Sequence, residues 1–227
     1  MGHRLYEGSQ RFSTTERGRV TRHSFSFGRH YDPANLGFGP MVCHNDDLLD
    51  PGAGYPDHPH QDLEIVTWVL SGALVHTDDE GHHHVLHPGE VQVLSAGSGV
   101  RHSEFADAAS GPTRFIQMWV TPDQPGGSAS VRGERAGVGP GELVEVAGGG
   151  GVRLGRTGAR LSVTRLRAGN EVRLPGASRQ HVFAATGSVA LEGLTLGAGD
   201  AVRLTGTAGV VATAASDGEL LVWSFDE

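Results

Sequence analysis

Apolar residues in this chain gather in short runs broken by glycine and proline, some of them alternating with polar residues. A period of two puts alternate side chains on opposite faces of an extended strand. Residues 62–76, DLEIVTWVLSGALVH, are β-branched and aromatic with one glycine break, which predicts two strands turning near Ser71-Gly72. Asp79-Glu80-Gly81 and Pro88-Gly89-Glu90 read as tight turns, the second followed by the strand VQVL. Phe115 to Val120, FIQMWV, reads as a further strand, and His23 to Phe27 as one with Phe25 and Phe27 on a common face. Many short strands at regular spacing predict an all-β sandwich or barrel.

Residues 122–151 break this pattern with a Gly-rich stretch holding at most one strand, at Glu142–Val146. The glycines at 148–151 have no strong strand before them and no Gly-Lys-Ser/Thr or helix after, so a flexible turn fits better than a phosphate loop. Beyond them the strand pattern returns, and an internal repeat with it. LSGALVH at 70–76 is similar to ATGSVAL at 185–191, and HPGEVQVLSAGSGV at 87–100 to GAGDAVRLTGTAGV at 197–210. The expected organisation is a module over 1–125, a linker over 126–151 and a second module over 152–227.

Composition narrows the function. The 35 glycines and 11 prolines in 227 residues suit many tight turns, while 37% hydrophobic residues still allow a packed core. A net charge of −8, with arginine as the sole basic residue besides histidine, disfavours direct nucleic-acid binding. No apolar run approaches a membrane span, no signal core opens the chain, and the single Cys43 has no disulfide partner, so a cytoplasmic protein is expected.

Chemistry concentrates in the first half, where all but one of thirteen histidines lie. GYPDHPHQDLE puts His58 and His60 two residues apart, and SGVRHSE does the same for His102 and Glu104. In a strand such pairs share a face, with Cα atoms about 6.5–7 Å apart. Two such strands facing one cavity would converge three imidazoles and a carboxylate, a set suited to Fe(II), Mn, Ni, Cu or Zn with positions left open. A lone His-x-His is more often surface decoration, and spacing alone leaves both readings open. His82, His83 and His84 follow a turn and read as a solvated tip; His76 could line an entrance or pair with Asp78; His181 reads as structural. Cys43 reads as a buried thiol, and Phe25, Phe27, Trp68 and Trp119 as core, with one or two able to wall a pocket.

The blocks HSFSFGRHYDP, NDDLLDPGAGYPDHPHQDLEIVTWVLSG, HPGEVQVLSAGSGVRHSE and IQMWVTP, in this order over roughly residues 20–122, resemble the pirin family of bicupins. The resemblance implies two cupin-type β-barrel (jelly-roll) modules and one metal ion, Fe(II) first with Zn, Mn, Ni or Cu as alternatives. It places the ligands at His58, His60, His102 and Glu104. The general cupin pattern would offer Glu64 instead of Glu104; the pirin pattern leaves Glu64 beside the centre or at the surface. Carried across the repeat at offsets of 115 and 110, the four ligand positions fall on Arg173, Pro175, Ala212 and Ala214, so the second module is expected to be a metal-free copy.

The resemblance further implies a quercetin 2,3-dioxygenase-like enzyme, opening a flavonol ring with O2 and releasing carbon monoxide, with Glu104 taking the flavonol proton. The competing expectation is a redox-sensing regulatory module whose metal governs binding of a protein partner. A metal-dependent isomerase or hydrolase is a third reading.

Overall fold

The structure is a computed structural model and describes residues 2–226. Alternation and turn chemistry produce an almost wholly β chain; among the described residues the one helical piece is a 3-10 turn at Gly8–Gln10. Among the described residues no helix is long and apolar enough to cross a membrane.

The chain opens with β1 (Gly2–Tyr6). Eleven strands follow: β2 (Phe12–Glu16), β3 (Arg19–His23), β4 (Met41–Leu49), β5 (Gly54–His60), β6 (Glu64–Ser71), β7 (Leu74–Asp78), β8 (His83–Leu86), β9 (Glu90–Ser95), β10 (Val100–Ala106), β11 (Thr113–Val120) and β12 (Ser130–Arg135). The last nine are β13 (Val144–Ala147), β14 (Ala159–Leu166), β15 (Glu171–Arg173), β16 (Ala177–Thr186), β17 (Val189–Leu191), β18 (Leu194–Leu196), β19 (Ala201–Thr207), β20 (Val211–Ala214) and β21 (Gly218–Phe225).

These strands form two compact units. In the first, a seven-stranded sheet ordered β12-β9-β6-β11-β4-β3-β2 accompanies a four-stranded sheet ordered β5-β10-β7-β8. In the second, the orders are β1-β19-β16-β21-β14-β13 and β15-β20-β17-β18. Adding ten to each label from β3 to β11 converts the first arrangement into the second, so the weak sequence repeat is a true repeat of topology.

The cores differ in kind. In the second unit, Val172, Val182, Leu191, Val202, Ala212, Ala214 and Leu220 belong to one apolar cluster drawn from both sheets. In the first unit the apolar cluster (Leu49, Val69, Leu74, Leu86, Ala106 and Phe115) fills one part of the interior. One step further along the same strand faces come Asp47, Thr67, His76, Glu104 and Gln117, all buried. A buried polar layer is costly unless its groups find partners, so it marks where function constrains the fold.

Several sequence expectations need correction. The strand expected at His23–Phe27 ends at His23: Ser26 and Asp32 bind each other through side chain and main chain, and Phe27 turns back to pair with His30. The stretch 126–151 is less of a linker than its glycines suggest. β12 pairs with β9 and β13 with β14. The units also depart from boundaries at 125 and 151. The chain up to Arg11 belongs with the later residues, because β1 pairs along β19 and Gly8 donates its N–H to Asp200 at 2.6 Å. Val152–Thr157 belongs with the first unit, where the Gly155 N–H reaches Glu64.

Candidate metal centre

β5 is the outer strand of its sheet, which is why it tolerates Pro56 and Pro59, residues with no N–H to donate to a ladder. It lies against β10 closely enough that only glycine fits at 54: a Cβ there would collide with the Glu104 carbonyl oxygen. The register sets His58 opposite His102 and His60 opposite Val100. A bulge between His102 and Glu104 then brings Tyr55 opposite Glu104. On its other edge β10 pairs with β7, putting His76 opposite Glu104 and Asp78 opposite His102.

This register gathers His58, His60 and His102, with one ring nitrogen of each within 4.8 Å of the others. Their ring centroids lie 4.5–5.0 Å apart. Glu104 joins a second such group with His76 and His102. His102 is common to both groups, and Glu104 is grouped with it and His76 rather than with His58 and His60. His76 is the addition, and Glu64 stands apart. The Glu64 carboxylate accepts from Ser95 Oγ at 2.8 Å and the Gly155 N–H at 3.0 Å, a structural role.

The ring nitrogens show what the cluster can hold. The Nε2 atoms of His60 and His102 are buried with no hydrogen-bond partner. His58 donates Nδ1–H to the Pro56 carbonyl at 2.9 Å, since a carbonyl only accepts, and this leaves its Nε2 as a lone-pair donor. Burial first, then the neighbouring imidazoles, push the His60 and His102 pKa values down to about 3, so both rings are neutral at physiological pH. Neutral imidazoles with bare inward nitrogens suit a transition-metal ion.

The carboxylates behave correspondingly. Burial raises the Glu104 carboxyl above its usual range, opposed by Gln117, whose Nε2 donates to both carboxylate oxygens at 2.9 and 2.8 Å. Gln117 is in turn fixed by Trp119, whose Nε1–H donates to Gln117 Oε1 at 3.1 Å. Trp119 also packs edge-on against His60 at 4.9 Å and against Phe27 at 5.3 Å, so the aromatic wall foreseen in general terms consists of these two residues. Trp68, Phe25 and Cys43 are fully buried. Asp47 is held by Thr21 and Tyr55, yet burial still raises its pKa to about 7.

Two hollows are present, and one of them touches the cluster at His60. One of about 380 Å³ is bordered by Pro59, His60, Gln61 and Arg101. The other, about 280 Å³, is bordered by Thr14, His23, Phe27, Arg29 and Tyr55, with Phe27 stacked on His23 at 4.9 Å. Neither Gln117 nor the Tyr55–Asp47 pair was visible in the sequence, since their partners are set by strand register.

The second unit carries the counterpart positions. Val172 pairs with Ala212 as His58 does with His102, and Leu174 binds the Val210 carbonyl as the neighbour of that pair. The register therefore moves the counterparts of His58 and His60 from Arg173 and Pro175 to Val172 and Leu174, and keeps Ala212 and Ala214 for the others. All four lie in the apolar cluster. A fixed offset missed by one residue because hairpin lengths differ between the copies.

The chain is similar to known proteins over nearly its whole length. The family model described as Pirin matches residues 7–120, and the one described as Quercetinase C-terminal cupin domain matches 154–225. A Mycobacterium bovis protein, named provisionally as a quercetin 2,3-dioxygenase, is 43% identical over 96% of this chain and 93% of its own length. Quercetin 2,3-dioxygenase of Escherichia coli is 40% identical over 46% of this chain and 45% of its own. The crystal structure of the bacterial pirin YhhW from Escherichia coli, in complex with nickel(II), superposes with a TM-score of 0.92 at 26% identity, covering 99% of both chains.

Proposed function

Because this chain belongs to the pirin family, we propose that it is a metal-dependent dioxygenase that cleaves flavonols such as quercetin with O2. The observation that carries this reading is the pair of buried, unpartnered Nε2 atoms of His60 and His102 facing His58 beside the buried Glu104. His58, His60, His102 and Glu104 would hold the ion, Fe(II) first among the metals an N3O set suits. A bound divalent ion supplies Lewis acidity toward a flavonol oxygen and redox access to O2.

The chain's own residues do the rest. Glu104 accepts the flavonol hydroxyl proton at a carboxylate oxygen. Gln117 keeps that carboxylate aimed by donating to both oxygens. Trp119 and Phe27 shield the site from water and offer flat faces to an aromatic ligand. The hollow beside Phe27 and Tyr55 supplies polar groups (Thr14, His23 and Arg29) for a polyhydroxylated ring. Flavonol loss with O2 uptake and carbon monoxide release, abolished in His60→Ala, is the expected result. An iron-loaded protein that leaves a panel of flavonols untouched contradicts the proposal and favours a regulatory use of the metal.

A further inference from the structure

The two nitrogens of the His102 ring have different surroundings. Nε2 is buried and bare, whereas Nδ1 lies 3.3 Å from Nδ1 of His76. His76 Nε2 lies 3.5 Å from Asp78 Oδ2. The Asp78 carboxylate accepts from His82 Nδ1 at 2.9 Å and from the main-chain N–H groups of Glu80 and His82 at 3.1 and 2.9 Å. The His76 and Asp78 side chains are 0% and 1% exposed, and His82 is 47% exposed, so this row of groups runs from the centre of the cluster to the surface.

We propose that His76 and Asp78 are positioning residues that fix the tautomer and ring plane of His102 and so aim its Nε2 lone pair at the metal. The inference rests on the metal-centre reading above. Its logic is a count of protons. Two Nδ1 atoms at bonding distance need one proton between them. Were that proton on His76, a neutral His76 ring would turn a bare Nε2 toward the Asp78 carboxylate, setting two acceptors against each other in a buried place. Asp78 therefore selects His76 protonated at Nε2, and His76 in turn selects His102 protonated at Nδ1. The same device operates independently at His58, where the Pro56 carbonyl takes Nδ1–H. Ligand histidines generally need such a partner, and its loss costs 10–100-fold in metal affinity.

The alternative is that His76 itself binds the ion, since its nitrogen lies within 4.8 Å of donors on His102 and Glu104. That arrangement would leave the buried Nε2 atom of His60 without a partner.

Imidazole 15N NMR of the Zn(II)-loaded full chain decides the matter without a variant. The expected spectrum has a proton on His102 Nδ1 and on His76 Nε2, with His76 Nδ1 an uncoordinated acceptor. A proton on His76 Nδ1, or a metal-bound shift for either His76 nitrogen, overturns the relay. Chelator competition with Zn(II) provides a second readout. His76→Leu should weaken binding about 10–100-fold, and His76→Gln, which can accept from His102 and donate to Asp78, should restore most of it. Equal affinity in wild type and His76→Leu overturns the relay alone. A wild-type chain that binds no Zn(II) overturns the centre and the relay together.

Discussion

Glu104 and Asp47 are two buried carboxyls whose partners do not fully offset desolvation, and each makes a prediction at the level of one side chain. Replacing Glu104 with Gln removes the proton acceptor and weakens one ligand, so kcat/KM for a flavonol should fall by about 10²-fold or more in a steady-state assay. Asp47 concerns stability in the metal-free protein. Its folded pKa, about 7, exceeds its ordinary value of 3.8, so the fold prefers the protonated form. The stability it contributes is present below pH 3.8 and is lost as pH rises through 7. Asp47→Asn stays neutral throughout and keeps an acceptor for Thr21 and Tyr55. Thermal melts should therefore show the variant gaining on wild type between pH 5 and pH 8; a difference independent of pH contradicts the assignment. At this scale the sequence was readable where the signal was local. His58, His60, His102 and Glu104 stand out as two pairs at a spacing of two, which only the family resemblance reads as ligands, whereas His76 and Gln117 are engaged by partners 26 and 13 residues away.

The site depends on how closely two strands approach. β5 reaches β10 through Gly54, whose added Cβ would strike both the Glu104 carbonyl oxygen and Phe105 Cα. Gly54→Ala should force the strands apart, with an overpacking cost of about 1–3 kcal/mol. The melting temperature should fall by about 2–4 °C per kcal/mol for a chain of this size. Metal affinity should fall with it, because the His58–His102 pairing lies in the same ladder. An unchanged melt and unchanged affinity would show that the approach is not needed. Elements rich in β-branched and aromatic residues and bounded by glycine turns, such as β6, β7 and β9, were legible in the chain. β12 was not, because Ser130–Arg135 is half-buried to exposed and owes its strand form to pairing with β9. The segment after His23 alternates like a strand but spends its polar groups on turns within Ser24–Asn35.

Across the molecule, one strand order occurs twice with opposite interiors. Where the first unit has imidazoles and a carboxylate, the second has Val172, Leu174, Ala212 and Ala214 in its apolar core. Side chains of this kind offer no donor to an ion, so the account requires one metal per chain. Titration of the metal-free protein should raise the melting temperature up to one equivalent and then only by mass action, about 2.7 kcal/mol at a hundredfold excess over Kd. The repeat was visible in glycine and apolar spacing. The membership of β1 was not, since its partner β19 lies at the far end of the chain and no local pattern marks that pairing.

We propose that four side chains of the first unit hold one ion. An anomalous-scattering map of crystals of the metal-loaded, tag-free protein tests it most directly. The account predicts one strong peak per chain, bonded to His58, His60, His102 and Glu104 and not to His76. A map with no peak there, or with its strongest peak on the exposed His82–His84 tip, would contradict it.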